Sequence, residues 1–141
     1  VILGDGPDVQ ELKKMVFDKN IDEKVLFLSY TSTPNKIIKN ALFTVLTSRY
    51  EGFPMSIIES LSIGTPVVSV DCKSGPNEIL KHGFNGLLIQ NNNPIKLAKA
   101  FNMLLSDENL LKKMKGNAKV SIDKFSEINI SKKWENIFNS V

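Results

Sequence analysis

The chain has 141 residues, 42% of them hydrophobic, and a formal net charge of +3 from 18 basic and 15 acidic side chains. That length suits one domain with a sizeable core; no apolar run approaches the roughly 20 residues that span a bilayer, and no signal peptide is expected. A lone cysteine, Cys72, excludes an intramolecular disulfide and a cysteine-cluster metal site, while a single arginine, Arg49, without basic-aromatic interleaving argues against a nucleic-acid partner.

Val1-Ile-Leu3 opens the chain as an apolar strand without an initiator methionine, so the sequence is expected to be an excerpt of a longer polypeptide. Gly4 to Pro7 turn into a helix over residues 8–18, with Val9, Leu12, Met15 and Val16 on one face. Residues 25–28 are wholly apolar, as expected of a strand covered on both faces. Thr33 and Pro34 suit the cap and first turn of a helix reaching about Asn40, with Ile37, Ile38 and Ala41 buried.

Residues 42–47 form a third strand. The helix over 55–63 carries its own punctuation: Pro54 at its start, Gly64 past its end, then Pro66. A fourth strand spans 67–70, with Cys72 after it as a plain core or loop thiol. A short helix over 76–81 ends before Gly83, and 86–89 is the last strand. From Pro94 the chain is helical, over 95–105, 107–120 and about 128–139. Asp107 suits the cap of the second of these, and Ser126 the start of the third. Trp134, Ile137 and Phe138 recur at helical spacing, the pattern of a core-facing stripe. The alternation of strands and helices predicts an α/β fold.

The junction between the third strand and its helix holds the richest chemistry. Glu51 and Glu59 bracket Gly52, Phe53 and Pro54 there, at the carboxyl end of a parallel strand, where open α/β sheets bind ligands. A helix rises about 1.5 Å per residue, so Glu59 lies roughly 6 Å along the axis from the mouth. Its side chain leans back toward that mouth. Pro54 has no N–H, so Met55, Ser56 and Ile57 supply the free donors for an anion, and Glu59 an acceptor for hydroxyls. A sugar nucleotide needs that pairing: amides for the diphosphate, a carboxylate for the ribose diol. Simpler roles are also open. Glu59 could be a surface carboxylate, the mouth a mere cap, and Gly4 with Gly6 a tight turn, since Val9 replaces the third glycine of a dinucleotide fingerprint.

The segment Arg49-Tyr-Glu-Gly-Phe-Pro-Met-Ser-Ile-Ile-Glu59, followed by Gly64-Thr-Pro-Val-Val-Ser69, resembles the family 4 (group 1) retaining glycosyltransferases of the bacterial surface-polysaccharide type. Gly4-Asp-Gly-Pro7, Ser74-Gly-Pro-Asn-Glu78 and Gly83-x-Asn-Gly-Leu87 resemble further motifs of that family, in the same order. The resemblance covers nearly the whole chain. It implies the second half of a GT-B fold: a Rossmann-like parallel sheet of order 3-2-1-4-5 or similar, helices on both faces and a helical C-terminal segment. It also implies one nucleotide-sugar-binding domain over residues 1–141, the first domain and first strand-loop belonging elsewhere in a longer chain; the last helix returns to that first domain, which gives Trp134, Ile137 and Phe138 a second reading as groups that face it. The implied activity is retaining transfer of a hexose or N-acetylhexosamine, most often from UDP, to a glycan or lipid-linked acceptor held through the other domain.

By this resemblance Glu59 meets the ribose hydroxyls. Glu51 faces the transferred sugar, where a carboxylate stabilises developing oxocarbenium character. Gly52, Phe53, Pro54, Met55, Ser56 and Ile57 line the donor, with Pro54-Met55 replacing a glycine more usual in the family. Gly4 and Gly6 line the nucleotide cleft, and the backbone of Tyr30 and Thr31 meets the base edge. The arginine and lysine that usually bind the diphosphate would precede Val1; Arg49 lies close to the site. Asn77 and Glu78 read as helix-capping residues or a sugar contact, and His82 as a charge at a helix end. No cofactor and no protein-bound metal are expected. A cytoplasmic location is expected, with the lysine-bearing outer helices read as a solvated face or a peripheral contact with an anionic membrane surface. Two other readings share the fold: a nucleotide-sugar epimerase, though an Asp-Ser-Gly-Gly-type phosphate loop is missing, and a non-catalytic nucleotide-binding domain, which would not need both glutamates.

Overall fold

Strands alternate with helices through Gln90, and every strand pair is parallel. The computed structural model describes residues 1–140 and divides into two units, Val1–Pro34 and a second that begins at Asn35.

In the first unit, β1 (Ile2–Leu3) leads through the Gly4–Pro7 turn into α1 (Val9–Asp18), and a 3-10 turn (Asp22–Lys24) precedes β2 (Phe27–Leu28). Ile2 pairs with Phe27 and Leu3 with Leu28. Two expectations fail here. The predicted strand over 25–28 shortens to Phe27–Leu28, both half-buried, with Leu26 exposed; and α1 buries no residue, Leu12 and Met15 included. A two-stranded ladder and one helix hold too little apolar surface to cover both faces within the unit.

The chain then runs through α2 (Pro34–Asn40), β3 (Thr44–Leu46), α3 (Met55–Ile63), β4 (Val67–Asp71), α4 (Pro76–Ile79) and β5 (Gly86–Gln90). Ile37, Ile38 and Ala41 are half-buried, short of the burial expected. The Thr33 side chain does not cap α2; its amide donates instead to the Thr31 hydroxyl at 3.2 Å. The second sheet runs β3-β4-β5, so β3 lies beside β4 and not where a 3-2-1-4-5 order would place it. A single crossover helix with a short return through Gly64–Pro66 joins these strands, the usual route to adjacent parallel strands. Gly64 ends α3 at φ 94°, as the Gly-x-Pro punctuation requires.

Successive strand residues face opposite sides, and both sides of this sheet are covered. Val67 joins Ile57, Leu61, Ile79, Leu80 and Ala118 in one core; Val68, Leu87 and Ile89 join Ala100, Leu104 and Met114 in the other. Gly86 is fixed by close approach: a Cβ there would lie 2.1 Å from the Val67 carbonyl oxygen. Buried hydroxyls are paired, Ser60 with Thr44 at 2.7 Å and with the Thr65 carbonyl at 2.9 Å.

Three capped helices close the chain. Asn93 accepts from the Lys96 amide above α5 (Pro94–Ser106), Asp107 from Leu110 above α6 (Glu108–Ser121), and Ser126 from Asn129 above α7 (Glu127–Phe138). The stripe on α7 faces outward, against expectation: Trp134, Ile137 and Phe138 are 56%, 52% and 71% exposed. Ala100 and Leu104 of α5 and Met114 and Ala118 of α6 occupy the core positions, and the main packing of α7 is on the Asp123–Phe125 turn. Trp134 and Phe138 stack on each other, ring centres 5.9 Å apart. No helix among the described residues is long and apolar enough to cross a membrane.

Candidate functional site

Beyond the end of β3, the chain loops out through Glu51–Pro54 before entering α3. Ile57, Ser60 and Leu61 turn inward, which leaves Glu59 on the exposed side of the helix, while Glu51 is half-buried in the loop. Neither carboxylate has a hydrogen-bond or ion-pair partner among the described residues.

Pro54 is buried at the cap position of α3, with no side chain capping the helix. The Ile57 amide donates to the Pro54 carbonyl at 3.0 Å. Of the three donors expected at the mouth, Ile57 is therefore committed, because the first turn tightens to a three-residue closure. The amides of Met55 and Ser56 have no partner among the described residues. Gly52, Phe53, Met55 and Ser56 are all exposed, so the mouth is open to water.

The loop is buttressed from the side by residues that sequence reasoning gave no part in the site. The Ser74 hydroxyl donates to the Glu51 carbonyl. Gly75 sits at φ 91°, ψ −59°, and a Cβ there would lie 2.3 Å from Pro54 Cδ and 3.3 Å from the Gly52 carbonyl oxygen. Phe53 meets Phe125 edge-on at 5.3 Å, and Lys124 lies over the Phe125 ring while donating to the Glu78 carbonyl at 2.8 Å. A glycine ahead of a helix-opening proline was the available signal for the positive φ; its partner in space was not readable.

The neighbouring candidates settle differently. Asn77 and Glu78 are exposed, and α4 has no side-chain cap, so the capping expected of them is absent. Because α4 stops at Ile79, His82 meets no helix end. Its Nδ1 faces β5 and accepts from the Leu88 amide at 3.2 Å. The Arg49 side chain is exposed, and its carbonyl accepts from Asn91 at 3.5 Å. Cys72 is buried beside the Ser74 carbonyl.

In the first unit, Gly4 (φ 127°) and Gly6 form the turn after β1, and the Gly4 amide donates to the Leu28 carbonyl at 2.9 Å. Asp5, between the glycines, accepts from the Tyr30 amide at 2.8 Å and brings the turn against Tyr30. That amide is unavailable to a base, contrary to an open backbone at Tyr30 and Thr31; the Tyr30 ring is exposed.

Two open cavities of about 260 and 320 Å³ lie elsewhere in the second unit, one beside His82, Lys96 and Met103, the other beside Thr47, Val70 and Asn91. Neither is lined by Glu51 or Glu59. No group of three or more His, Cys, Asp or Glu among the described residues is placed to hold a metal ion.

The profile of glycosyl transferases, group 1, matches residues 1–121. The chain belongs to this family. Over 99% of its length this group 1 domain is 36% identical to a poly(ribitol-phosphate) alpha-N-acetylglucosaminyltransferase of Staphylococcus aureus (strain COL). Over the same share it is 33% identical to a poly(glycerol-phosphate) alpha-glucosyltransferase of Bacillus subtilis (strain 168). It spans only 28% and 21% of those two proteins. Among solved structures, the apo lipopolysaccharide outer core galactosyltransferase WaaB superposes with a TM-score of 0.90 at 29% identity, covering 99% of this chain and 40% of its own. A variant of S. aureus TarM in complex with UDP superposes with a TM-score of 0.90 at 35% identity, covering 98% and 28%. The fold is thus the Rossmann-like half of a GT-B glycosyltransferase, with its helical C-terminal segment.

Proposed function

We propose that residues 1–141 form a single nucleotide-sugar-binding domain of a longer, retaining transferase that uses a UDP-hexose or UDP-N-acetylhexosamine. The observation that carries this reading is the mouth of α3. Two carboxylates, Glu51 and Glu59, bracket in sequence the amides of Met55 and Ser56, and none of the four has a partner among the described residues, in a group 1 chain 35% identical to a TarM structure that holds UDP. The amides receive the diphosphate, Glu59 the ribose diol, and Glu51 the sugar ring, where its charge opposes the positive character that develops at the anomeric carbon. Gly52, Phe53 and Pro54 shape the sugar side. No cofactor and no protein-bound metal enter this scheme.

The names of the relatives narrow the chemistry. Two relatives that match over nearly the whole chain are named as alpha-transferases of poly(ribitol-phosphate) and poly(glycerol-phosphate). UDP-hexoses of the common kind carry an alpha anomeric phosphate, so an alpha product is retention. We therefore assign the acceptor to the glycan or lipid-linked class, polyol phosphates included, held through the other domain. The enzyme works in the cytoplasm, with exposed Lys113, Lys132 and Lys133 facing an anionic membrane surface.

The test is Glu51→Gln in the full-length polypeptide. It keeps the shape and removes the charge, so UDP affinity should stay level while turnover falls about two decades, the scale of one preorganised electrostatic group. Wild-type turnover in this variant would overturn the assignment.

A further inference from the structure

The Glu51 loop has almost no main-chain support of its own. Gly52 and Phe53 are exposed, and among the described residues the main chain of residues 50–53 makes one hydrogen bond, from the Ser74 hydroxyl to the Glu51 carbonyl. That bond holds the peptide from which the Glu51 side chain departs. The next residue, Gly75, lets the main chain pass directly against Pro54 on the other side of the loop.

We infer that Ser74 is a positioning residue for Glu51: it touches no substrate and acts by fixing the peptide plane that aims the carboxylate. This rests on the role proposed above for Glu51. A serine suits the task because the donor must be short. Ser74 is half-buried against the loop, and its own carbonyl lies 3.7 Å from the Cys72 thiol, which anchors it from β4's side. Removing the hydroxyl leaves Glu51 chemically intact while freeing its loop to sample other orientations. A displacement on the order of 1 Å of a positioned group can cost up to about a hundredfold in rate, and one lost hydrogen bond corresponds to about tenfold.

The experiment compares Ser74→Ala, Ser74→Thr, Glu51→Gln and the Ser74→Ala/Glu51→Gln double variant in the full-length enzyme. The probes are UDP-N-acetylglucosamine with a ribitol-phosphate oligomer for transfer, and UDP alone for affinity. Ser74→Ala should lower kcat about tenfold with UDP affinity within twofold of wild type, and Ser74→Thr, which keeps the hydroxyl, should restore most of the rate. The double variant should be no slower than Glu51→Gln alone, because a residue that acts through Glu51 has nothing left to position. A kcat for Ser74→Ala within twofold of wild type would overturn the inference and leave the proposed function standing. So would a further tenfold loss on the Glu51→Gln background. Wild-type turnover in Glu51→Gln itself would remove the proposed function, and the inference with it. Should Ser74→Ala not fold, Ser74→Cys, with a similar volume and a weaker donor, takes its place in the same comparison.

Discussion

Gly75→Ala is the most direct probe of how the site is built. At φ 91°, ψ −59°, residue 75 occupies backbone space that side-chain-bearing residues enter at a cost of about 1–3 kcal/mol. The added methyl would also lie 2.3 Å from Pro54 Cδ. That atom belongs to a buried ring that cannot rotate away, so overpacking adds about 1–3 kcal/mol. The sum, roughly 2–6 kcal/mol, is a large share of the 5–15 kcal/mol that typically holds a domain together. The clash relaxes by forcing the Glu51–Pro54 loop and the Gly75 turn apart, so the variant should lose stability and catalysis together. Gly116→Ala is the internal control. Gly116 lies inside α6 with nothing within 4 Å of its added Cβ, so alanine there should stabilise by about 0.5–1 kcal/mol. Urea unfolding followed by circular dichroism reads both. With a slope of about 2 kcal/mol per molar, the middle of the usual range, Gly75→Ala should lower the midpoint by roughly 1–3 M and Gly116→Ala should raise it slightly. A Gly75→Ala midpoint at or above wild type would mean that the two loops do not meet, and the buttress of the Glu51 loop would be lost with them.

Glu59→Ala should raise the dissociation constant of UDP by about one to two decades in calorimetric titration, and that of the UDP-sugar equally, because the ribose is common to both. An unchanged affinity with the fold intact would remove Glu59 from the ribose. Trp134→Ala and Phe138→Ala in the present chain should shift stability by no more than about 0.5 kcal/mol, since both rings are exposed. A loss of about 3–5 kcal/mol, as for a buried aromatic, would show that the α7 stripe is core after all.

What the sequence revealed and what it hid divide along the range of the interactions. The bounds of α3 and its left-handed Gly64 follow from Pro54, Gly64 and Pro66, all local. Asp107 and Ser126 cap α6 and α7 as expected because a cap is decided within three residues. The pair Glu51 and Glu59 stood out for the same reason: one strand end and one helix turn fix their spacing. All the errors but one, at the Ile57 amide, are nonlocal. Whether Trp134 is covered depends on what α5 and α6 leave uncovered. The placing of β3 beside β4 depends on pairing that hydrophobicity does not encode, since residues 44–46 read equally well in either position. Ser74 and Gly75 looked like the opening of a short helix, and their contact with Glu51 and Pro54 spans two loops. The Ile57 amide was assigned to a ligand because the tightening of a helix's first turn has no signature in side chains.

The two free carboxylates also bear on which ligand the mouth prefers. In water an exposed carboxylate loses nothing by lacking a partner, so Glu59 and the half-buried Glu51 are tolerated as they stand. They become costly only when a ligand covers them, unless that ligand brings donors of its own. The amides of Met55 and Ser56 suit an anion, but a bare phosphate would offer no donor to the carboxylates of Glu51 and Glu59, which bracket those amides in sequence. A ligand that carries its phosphates to the amides and a hydroxyl array to each carboxylate satisfies every group at once. Nucleoside diphosphate sugars have that layout, with a ribose diol at one end of the diphosphate and a hexose at the other. The single hydrogen bond from Ser74 then matters because Glu51, unlike Glu59, has no helix to hold it in place.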